Sequence, residues 1–283
     1  MGATGDGPYR GGRLVVDPTR SISAAQRPDL ALTGERTLPD IWHENYWFQR
    51  HLAAYEHVRA AEPRGVVLDA GCGEGYGAHL LAARCCAVVA MDYDAATAAH
   101  VRRRYPGLAT VRGNLVALPL RDRSVDWVVS LQTVEHLWDV DQFLSECLRV
   151  LRRDGTLVVS TPNRLTFSPG LALEDKPANP FHHREFSARD LLDLMSAHAA
   201  TGDVTGLRHG DVITSWEAQH GSIVEAQLAK PQGSWDPDLV RLVSSLTTAD
   251  FTLTNSDLTS CLDLVAFISA GAQEPDIGAP SDE

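Results

Sequence analysis

The stretch VVLDAGCGEGYG, residues 66–77, limits the folds open to this chain more than any other segment. An apolar run ends at Asp69, and glycines then occupy alternate positions from 71 to 77. This pattern predicts a buried strand that breaks into a loop, because glycine permits backbone conformations and close approaches that a side chain would block. The following residues, YGAHLLAAR, have a helical pattern and point a helix N-terminus at the loop. We therefore predict a ligand-binding loop between a strand and a helix, with a tight turn that binds nothing as the alternative.

Further short apolar runs alternate with helical patterns along the first two thirds of the chain. Near-continuous apolar strands separated in this way indicate βαβ units and a parallel sheet that is covered on both faces. We therefore predict an α/β, doubly wound fold. The predicted strands are 65–69, 87–92, 109–112, 125–130, 155–162 and a last one at 261–269, with an amphipathic helix at 41–61 and a capped helix that starts at Ser187 and Asp190.

The length of 283 residues favours one large domain. We predict a single domain over 31–270, in which 31–62 forms an N-terminal helical lid and 208–258 is an insertion whose structure the sequence leaves open. Residues 1–30 and the acidic tail 271–283 contain Gly and Pro without apolar periodicity, so both are expected to be disordered.

Charge and composition exclude several classes of protein. The formal net charge of −12, from 25 basic and 37 acidic residues, would repel a nucleic acid. The chain has no apolar run of about 18 residues and no signal-peptide core, so we expect a cytoplasmic protein without a membrane span. The sequence leaves open whether the protein is a monomer or a homodimer. An odd number of cysteines without a C-x-x-C pair fits neither a disulfide framework nor a zinc site; they are Cys72, Cys85, Cys86, Cys147 and Cys261.

Two ligand classes compete for the glycine loop. A dinucleotide fingerprint needs G-x-G-x-x-G, but the sixth position counted from Gly71 is Tyr76, and only a frame from Gly73 to Ala78 fits. Asp69 would also place a carboxylate beside a pyrophosphate, whereas a ligand that carries an ammonium and a sulfonium suits it. The residues therefore favour a cationic ligand, and an NAD-dependent oxidoreductase is the alternative.

The segment VLDAGCGEGYG resembles the first motif of class I S-adenosylmethionine-dependent methyltransferases, and the resemblance extends over most of residues 33–190. It implies a Rossmann-like, seven-stranded and mostly parallel sheet that binds S-adenosyl-L-methionine and releases S-adenosyl-L-homocysteine. The cofactor-binding residues implied by the resemblance are Asp69, Gly71, Cys72, Gly73, Asp92, Tyr93, Asn114, Leu115, Ser130 and Gln132.

Asp92 and Asn114 are the two polar residues that this resemblance places on the adenosine. Asp92 stands 21 residues after Gly71, since 92 minus 71 is 21, and a ribose-binding acid is expected about 20 residues after the first glycine. A solvated aspartate at a strand end is the alternative. Asn114 stands where many relatives carry aspartate, with Leu115 against the adenine ring, and an amide oxygen can accept the same hydrogen bond from the adenine amine.

The segment VDWVVSLQTVEHLWD, residues 125–139, implies catalytic residues at the mouth of the site: Glu135 and His136. His136 is the candidate base, because imidazole, with an unperturbed pKa of about 6.5, accepts protons near neutrality. A helix cap or a structural hydrogen bond is the alternative role. Some similar quinone-pathway O-methyltransferases carry Glu-x-x-Glu-His and bind a divalent ion, but Gln132 replaces the first glutamate here. Glu135 and His136 are thus candidate Mg²⁺ ligands, in a site with one carboxylate fewer than in those enzymes.

Two outer segments resemble methyltransferases of bacterial glycan pathways: LTGERTLPDIWHENYWFQRHLAAYEHV before the first strand, and NPFHHREFS after the fifth. The resemblance implies O-methylation of a saccharide or oligosaccharide hydroxyl, or of a glycosylated small molecule, in bacterial polysaccharide or metabolite biosynthesis. A phenolic, quinone or polyketide acceptor is the alternative, and a cofactor-binding protein without turnover is another class. The implied lid and substrate residues are Tyr46, Trp47, Arg50, His51, His182 and His183, while packing on the sheet and solvation are the alternatives for them.

Overall fold

The computed structural model describes residues 30–31, 36–84, 87–198 and 200–270. Its centre is a sheet of eight strands. In chain order these are β1 (Val66–Ala70), β2 (Ala87–Asp92), β3 (Ala109–Arg112), β4 (Val125–Leu131), β5 (Leu151–Pro162), β6 (Ala200–His209), β7 (Phe251–Thr254) and β8 (Asp263–Ala270). Across the sheet the order is β3-β2-β1-β4-β5-β8-β6-β7.

The strands β1 to β5 pair in parallel, whereas β8 runs antiparallel to both β5 and β6, and β7 runs antiparallel to β6. The predicted α/β, mostly parallel fold is therefore confirmed. The expected number of seven strands is wrong, because β7 adds an eighth strand at the edge, where it pairs with β6 alone.

The pattern predicted neither β6 nor β7. The sequence of β6, ATGDVTGLRH, contains two glycines and an aspartate, which disfavour strands in a local pattern. A Cβ atom at Gly206 would collide with the Cys261 side chain, and one at Gly202 would collide with the Phe267 carbonyl oxygen. These glycines therefore permit close pairing with the neighbouring chain, a requirement that appears only once the sheet is assembled.

Helices cover both faces of the sheet. The helices of the described residues are α1 (Asn45–Ala60), α2 (Tyr76–Ala82), α3 (Ala95–Arg104), α4 (Val140–Val150), α5 (Arg164–Phe167), α6 (Ala188–Ala197), α7 (Asp211–His220), α8 (Ile223–Leu228) and α9 (Pro237–Ser245). The predicted helix at 41–61 is confirmed as a short 3₁₀ turn at Trp42–Glu44 followed by α1. The predicted cap of α6 is also confirmed, because Ser187 and Asp190 form a reciprocal capping box.

Two apolar cores lie on opposite faces of the sheet. Leu68 belongs to the core beneath α4 and α6, together with Phe143, whereas its neighbour Val67 belongs to the core beneath α1, α2 and α3, together with Tyr55. Successive strand residues point to opposite faces, so one buried strand supplies both cores. This arrangement makes the fold doubly wound.

The insertion predicted at 208–258 folds as α7, α8, α9 and β7. Its apolar core joins Ile213, Ile223 and Val243 to Tyr46 of α1. The helix α1 therefore packs against the sheet on one side and against the insertion on the other. Within the described residues, no helix combines the length and apolar character needed to cross a bilayer.

The two segments predicted to be disordered lie outside the described residues, with the exception of Leu30. This side chain is buried with Leu38 and Ile41. Cys85 and Cys86 also lie outside the described residues, while Cys72, Cys147 and Cys261 are free and buried.

Candidate active site

A cavity of about 510 Å³ opens at the carboxyl ends of β1, β2 and β4. This is the edge at which open parallel sheets bind ligands. The glycine loop, the end of β2, the turn after β3 and the segment after β4 form most of its wall, and α1 contributes His51 and Tyr55. The predicted site residues on the wall are Gly71, Cys72, Gly73, Asp92, Tyr93, Asn114, Leu115, Gln132, His136 and His51.

The glycine loop bends sharply between β1 and α2. Gly71, Gly73 and Gly75 have φ values of +86°, +52° and +98°, which favour glycine. A Cβ atom at Gly71 would collide with Thr133, whereas one at Gly73 would meet no described atom within 4 Å. Gly71 and Cys72 both donate their backbone N–H to the Met91 carbonyl oxygen at 2.9 Å. The loop is thus held against β2, and Gly73 leaves space on the cavity side.

Asp92 is fixed at the cavity wall by two backbone donors. Its Oδ2 atom accepts the Gly73 N–H at 3.1 Å, and its Oδ1 atom accepts the Asp94 N–H at 2.9 Å. Burial raises the pKa of Asp92, against the opposing effect of these two hydrogen bonds and of Arg36. Each carboxylate oxygen keeps a further lone pair. The geometry therefore allows Asp92 to accept hydrogen bonds from a vicinal diol such as that of a ribose.

Asp69 and Ser130 are not among the residues that line the cavity, and their contact with the cofactor stays a prediction. Ser130 is fully buried and donates its hydroxyl to the Ala70 carbonyl oxygen at 2.8 Å, which joins β4 to β1. Asp69 is also fully buried and accepts the Tyr55 hydroxyl at 3.1 Å. Burial raises the pKa of Asp69 to about 7, with Asp92 adding to the effect and the hydrogen bonds from Tyr55 and the Ala78 backbone opposing it.

The residues after β3 and β4 line the middle of the cavity. Asn114 is exposed, and its Oδ1 atom accepts the Val116 N–H at 3.2 Å, so one lone pair remains for a ligand. Leu115 is buried beside it. Gln132 has a φ of +51°, which is unusual for a residue with a side chain, and its amide donates to Ser160 Oγ at 3.3 Å. Such backbone conformations are common at functional sites.

His136 lies at the far wall of the cavity, in a 3₁₀ turn at Val134–His136. Its Nδ1 atom is 3.1 Å from the Phe181 carbonyl oxygen. Because a carbonyl oxygen only accepts, Nδ1 carries the hydrogen in this bond, and Nε2 of the neutral ring has the lone pair. The nearby His51 also lines the cavity, and burial lowers its pKa to about 4, with Arg50 and His136 adding to the effect and Asp263 opposing it. His51 is therefore a neutral hydrogen-bonding group near neutral pH.

Glu135, His136 and His182 form a cluster in which one ligand atom from each lies within 4.8 Å of the others. Glu135 and His182 are buried, and His182 Nδ1 lies 2.7 Å from Glu185 Oε1. One carboxylate and two imidazoles do not suit Mg²⁺, which prefers oxygen ligands; such a set suits zinc or a similar transition ion better. The donor set therefore does not support the predicted magnesium site.

Three predicted lid residues lie away from the cavity: Tyr46, Trp47 and Arg50. Tyr46 is fully buried, and its hydroxyl is 2.8 Å from His209 Nε2. Arg50 is buried and donates two hydrogen bonds of 2.6 Å to the Asp263 carboxylate, while the Trp47 ring lies 5.6 Å from its guanidinium carbon. Tyr46 and Arg50 therefore join α1 to β6 and β8, on a face of the helix that is buried beside the insertion.

The two remaining predicted substrate residues, His182 and His183, differ in their surroundings. The ring centre of His182 lies 5.0 Å from that of His136, and the side chain is buried behind it. His183 is exposed, and its backbone N–H donates to the Glu135 carbonyl oxygen at 2.7 Å. Of the TGER string, Thr33–Glu35 lie outside the described residues, and Arg36 lines the cavity.

Several cavity residues were not predicted from the sequence, chiefly Tyr55, Glu74, Thr133 and Trp138. Trp138 is 75% exposed at the cavity. Its position two residues after His136 is the one local signal that could have suggested it. Glu74 is buried and joins the glycine loop to α3 through His100 Nε2 at 2.9 Å. A long-range contact of this kind leaves no local pattern in the sequence.

This fold and glycine-loop cavity define a class I methyltransferase architecture, and comparison with known proteins gives the family. Residues 68–159 match the family described as a methyltransferase domain. A protein of Mycolicibacterium smegmatis named "probable S-adenosylmethionine-dependent methyltransferase" is 48% identical over 257 residues, which cover 88% of this chain and 97% of that protein. The chain therefore belongs to the S-adenosylmethionine-dependent methyltransferases. This membership argues against the NAD-dependent oxidoreductase alternative.

More distant similarities extend over part of the chain. The ubiquinone biosynthesis O-methyltransferase of Chelativorans sp. is 29% identical over 173 residues, or 56% of this chain and 68% of that protein. A crystal structure from Thermotoga maritima, described as a SAM-dependent methyltransferase and possible histamine N-methyltransferase, aligns with a TM-score of 0.54 at 20% identity, covering 79% of this chain and 93% of that one. At this identity the similarity extends to the fold alone.

Proposed function

We propose that this methyltransferase transfers the methyl group of S-adenosyl-L-methionine to a hydroxyl of a saccharide or of a glycosylated small molecule. The observation that carries the proposal is the state of His136 at the cavity wall. Its Nδ1 atom is bonded to the Phe181 carbonyl oxygen, and its Nε2 atom lies 3.8 Å from Glu135 Oε1, where the carboxylate would stabilise the ring after it takes up a proton. An alcohol acceptor needs such a base, because its hydroxyl does not ionise near neutral pH before it reacts.

The cofactor end of the proposal rests on the glycine loop and Asp92. In this assignment Asp92 accepts hydrogen bonds from the ribose hydroxyls, and Asn114 and Leu115 contact the adenine. The space beside Gly73 leaves room for the amino-acid part of the donor. The buried carboxyl of Asp69 favours a cation when it is ionised, which suits the ammonium and sulfonium of the donor.

The reaction itself is a displacement at the methyl carbon. The acceptor oxygen forms a bond to this carbon as the bond to sulfur breaks, so the sulfonium becomes the neutral thioether of S-adenosyl-L-homocysteine. The hydroxyl proton passes to His136 Nε2 and leaves with solvent. His51 and Thr133 offer further polar groups on the same wall that could orient the acceptor.

The choice of a saccharide is supported by the mixture of groups at the acceptor end. Trp138 offers an exposed indole, and His51, Thr133 and His136 are polar groups that line the same cavity. A sugar ring has one apolar face and several hydroxyls, so it can use both kinds of group. A phenolic or quinone acceptor is the second candidate, and the match to a ubiquinone biosynthesis O-methyltransferase favours it.

A panel of neutral sugars, glycosides, phenols and quinols tests the proposal, with mass spectrometry to detect a donor-dependent gain of one CH₂. We expect methylated sugars or glycosides, and full turnover in excess EDTA because the proposed displacement uses a protein base and no metal. Methylation of phenols alone would show that the acceptor is a phenol and not a saccharide. Donor binding without turnover on any member would support the cofactor-binding alternative, and loss of turnover in EDTA would bring the Glu135–His136–His182 cluster into the reaction.

A further inference from the structure

A second cavity, of about 620 Å³, lies in the insertion between α7, α8 and α9. This size is within the range of about 300–1,000 Å³ that is typical of small-molecule sites. None of its lining residues also lines the cofactor cavity. We propose that this cavity, which we call the insertion pocket, binds a neutral saccharide. The proposal is independent of which acceptor the methyltransferase uses.

Two tryptophans make the aromatic part of the insertion pocket. Trp216 stacks on His220 with ring centres 4.5 Å apart and planes inclined by 14°. Trp235 donates its indole N–H towards the carbonyl oxygens of Gln227 at 3.2 Å and Lys230 at 3.0 Å, and its ring meets the edge of Trp42 at 5.7 Å. Both indoles are half-buried and held by neighbours, so little conformational freedom remains to be lost when a ligand stacks on them.

The charged groups of the insertion pocket are balanced. Lys230 Nζ lies 3.9 Å from Asp236 Oδ2, and Arg241 forms an ion pair with Asp238. All four residues line the pocket, which therefore has two positive and two negative groups around its apolar floor. Such a rim attracts neither an anion nor a cation strongly, but it offers several hydrogen-bond donors and acceptors.

This combination indicates the chemistry of the ligand. Indole faces bind the C–H face of a sugar ring, and paired charges at the rim exchange hydrogen bonds with its hydroxyls. A purely apolar ligand would leave these rim groups without their water, and a phosphorylated or amino sugar would meet a charge of its own sign as close as one of the opposite sign. A neutral saccharide satisfies both surfaces.

The insertion pocket is connected to the catalytic half of the protein through α1. Tyr46 and Ala53 of this helix belong to the core of the insertion, while His51 and Tyr55 of the same helix line the cofactor cavity. A saccharide in the insertion pocket would thus bind to a unit that is packed directly on a wall of the active site.

Calorimetry with neutral hexose oligosaccharides of increasing length, without the methyl donor, tests the proposal. Ala229 is exposed and lines the pocket, so Ala229→Trp should fill it without removing any packing. Ala218 is exposed on α7 and does not line the pocket, so Ala218→Trp is the matched control. We expect wild-type and Ala218→Trp proteins to bind, and Ala229→Trp to bind about tenfold more weakly or worse.

Trp235→Leu should weaken binding as well, and thermal unfolding with S-adenosyl-L-homocysteine affinity will show whether each variant is folded. Absence of binding by every neutral saccharide, or equal binding by folded Ala229→Trp and wild-type proteins, would overturn the proposal. Binding of charged sugars alone would also overturn it. The Ala229→Trp variant separates this proposal from the proposed function, because a saccharide bound as acceptor in the cofactor cavity would bind equally to wild-type and variant proteins.

Discussion

The substitution Asp69→Asn tests the central electrostatic feature of the site. Burial raises the pKa of Asp69 from the ordinary value of 3.8 to about 7. At about 1.4 kcal/mol for each pH unit, this difference amounts to about 4 kcal/mol of free energy. The side chain is fully buried, so solvent screening does not reduce this value substantially. The ionised carboxylate therefore destabilises the ligand-free protein, whereas asparagine avoids the charge and can still accept the Tyr55 hydroxyl.

The pH dependence follows from proton binding. Between about pH 4 and about pH 7 the folded protein keeps the Asp69 proton that the unfolded chain has lost, so the free energy of unfolding falls as pH rises. Below this range the carboxyl is protonated in both the folded and the unfolded state. Above it, the full free-energy cost of the buried charge is present. Relative to Asp69→Asn, wild-type protein should lose about 4 kcal/mol across the range. Urea unfolding of both proteins over this pH range measures the difference, in which the other titrating groups largely cancel.

The same reasoning predicts that donor binding releases a proton. A cationic ligand favours the ionised carboxylate, so the affinity for S-adenosyl-L-methionine should rise with pH up to about 7, where Asp69 ionises by itself. Calorimetry of donor binding in buffers of different ionisation enthalpy measures the number of protons released. The Asp69→Asn protein should not release the proton that wild-type protein loses. If the stability difference between the two proteins does not change with pH, Asp69 is already ionised in the folded protein, and the electrostatic reasoning is refuted.

Substitutions at three further sites test the cofactor contact, the base and a buried ion pair. Asp92→Ala should weaken donor binding by about 1.5–3 kcal/mol through loss of a charged hydrogen bond, and unchanged affinity in calorimetry would remove Asp92 from the site. His136→Ala and His136→Gln should both lower kcat by about 10²–10⁴ with donor affinity unchanged, since neither side chain accepts a proton; wild-type kcat would make the histidine structural. Arg50→Ala should lower the free energy of unfolding by about 3–5 kcal/mol, because it leaves the Asp263 carboxylate buried and unpaired. The exposed control Arg189→Ala should change it by about 1 kcal/mol or less, and equal effects of the two would show that the buried pair adds nothing.

The sequence by itself determined the catalytic half of the protein as far as local pattern reaches. The strand, the glycine loop and α2 adjoin along the chain, so apolar runs and glycine positions predict them together. Asp92 could be predicted because its strand lies beside β1 and ends at the same sheet edge. Parallel topology converts such positions in the sequence into neighbours in space.

Only the tertiary structure decided which face of α1 lines the cofactor cavity. The local pattern placed Tyr46, Arg50 and His51 on one helix, but the insertion and Asp263 bury the first two and leave His51 at the cavity. The partner of Arg50 is 213 residues away along the chain, and no local pattern records it. Sequence periodicity could therefore not separate His51, which lines the cavity, from Tyr46 and Arg50, which do not.

The tautomer of His136 and the shape of the insertion pocket both depend on contacts between distant segments. The Phe181 carbonyl oxygen, 45 residues later, accepts the hydrogen bond that places a hydrogen on His136 Nδ1, and Trp216 and Trp235 line one cavity only because α7, α8 and α9 pack around one apolar core. Hydrogen-bond partners and cavity walls depend on the three-dimensional packing of distant segments. A sequence pattern predicts which residues can do chemistry, whereas packing determines which of them meet a ligand.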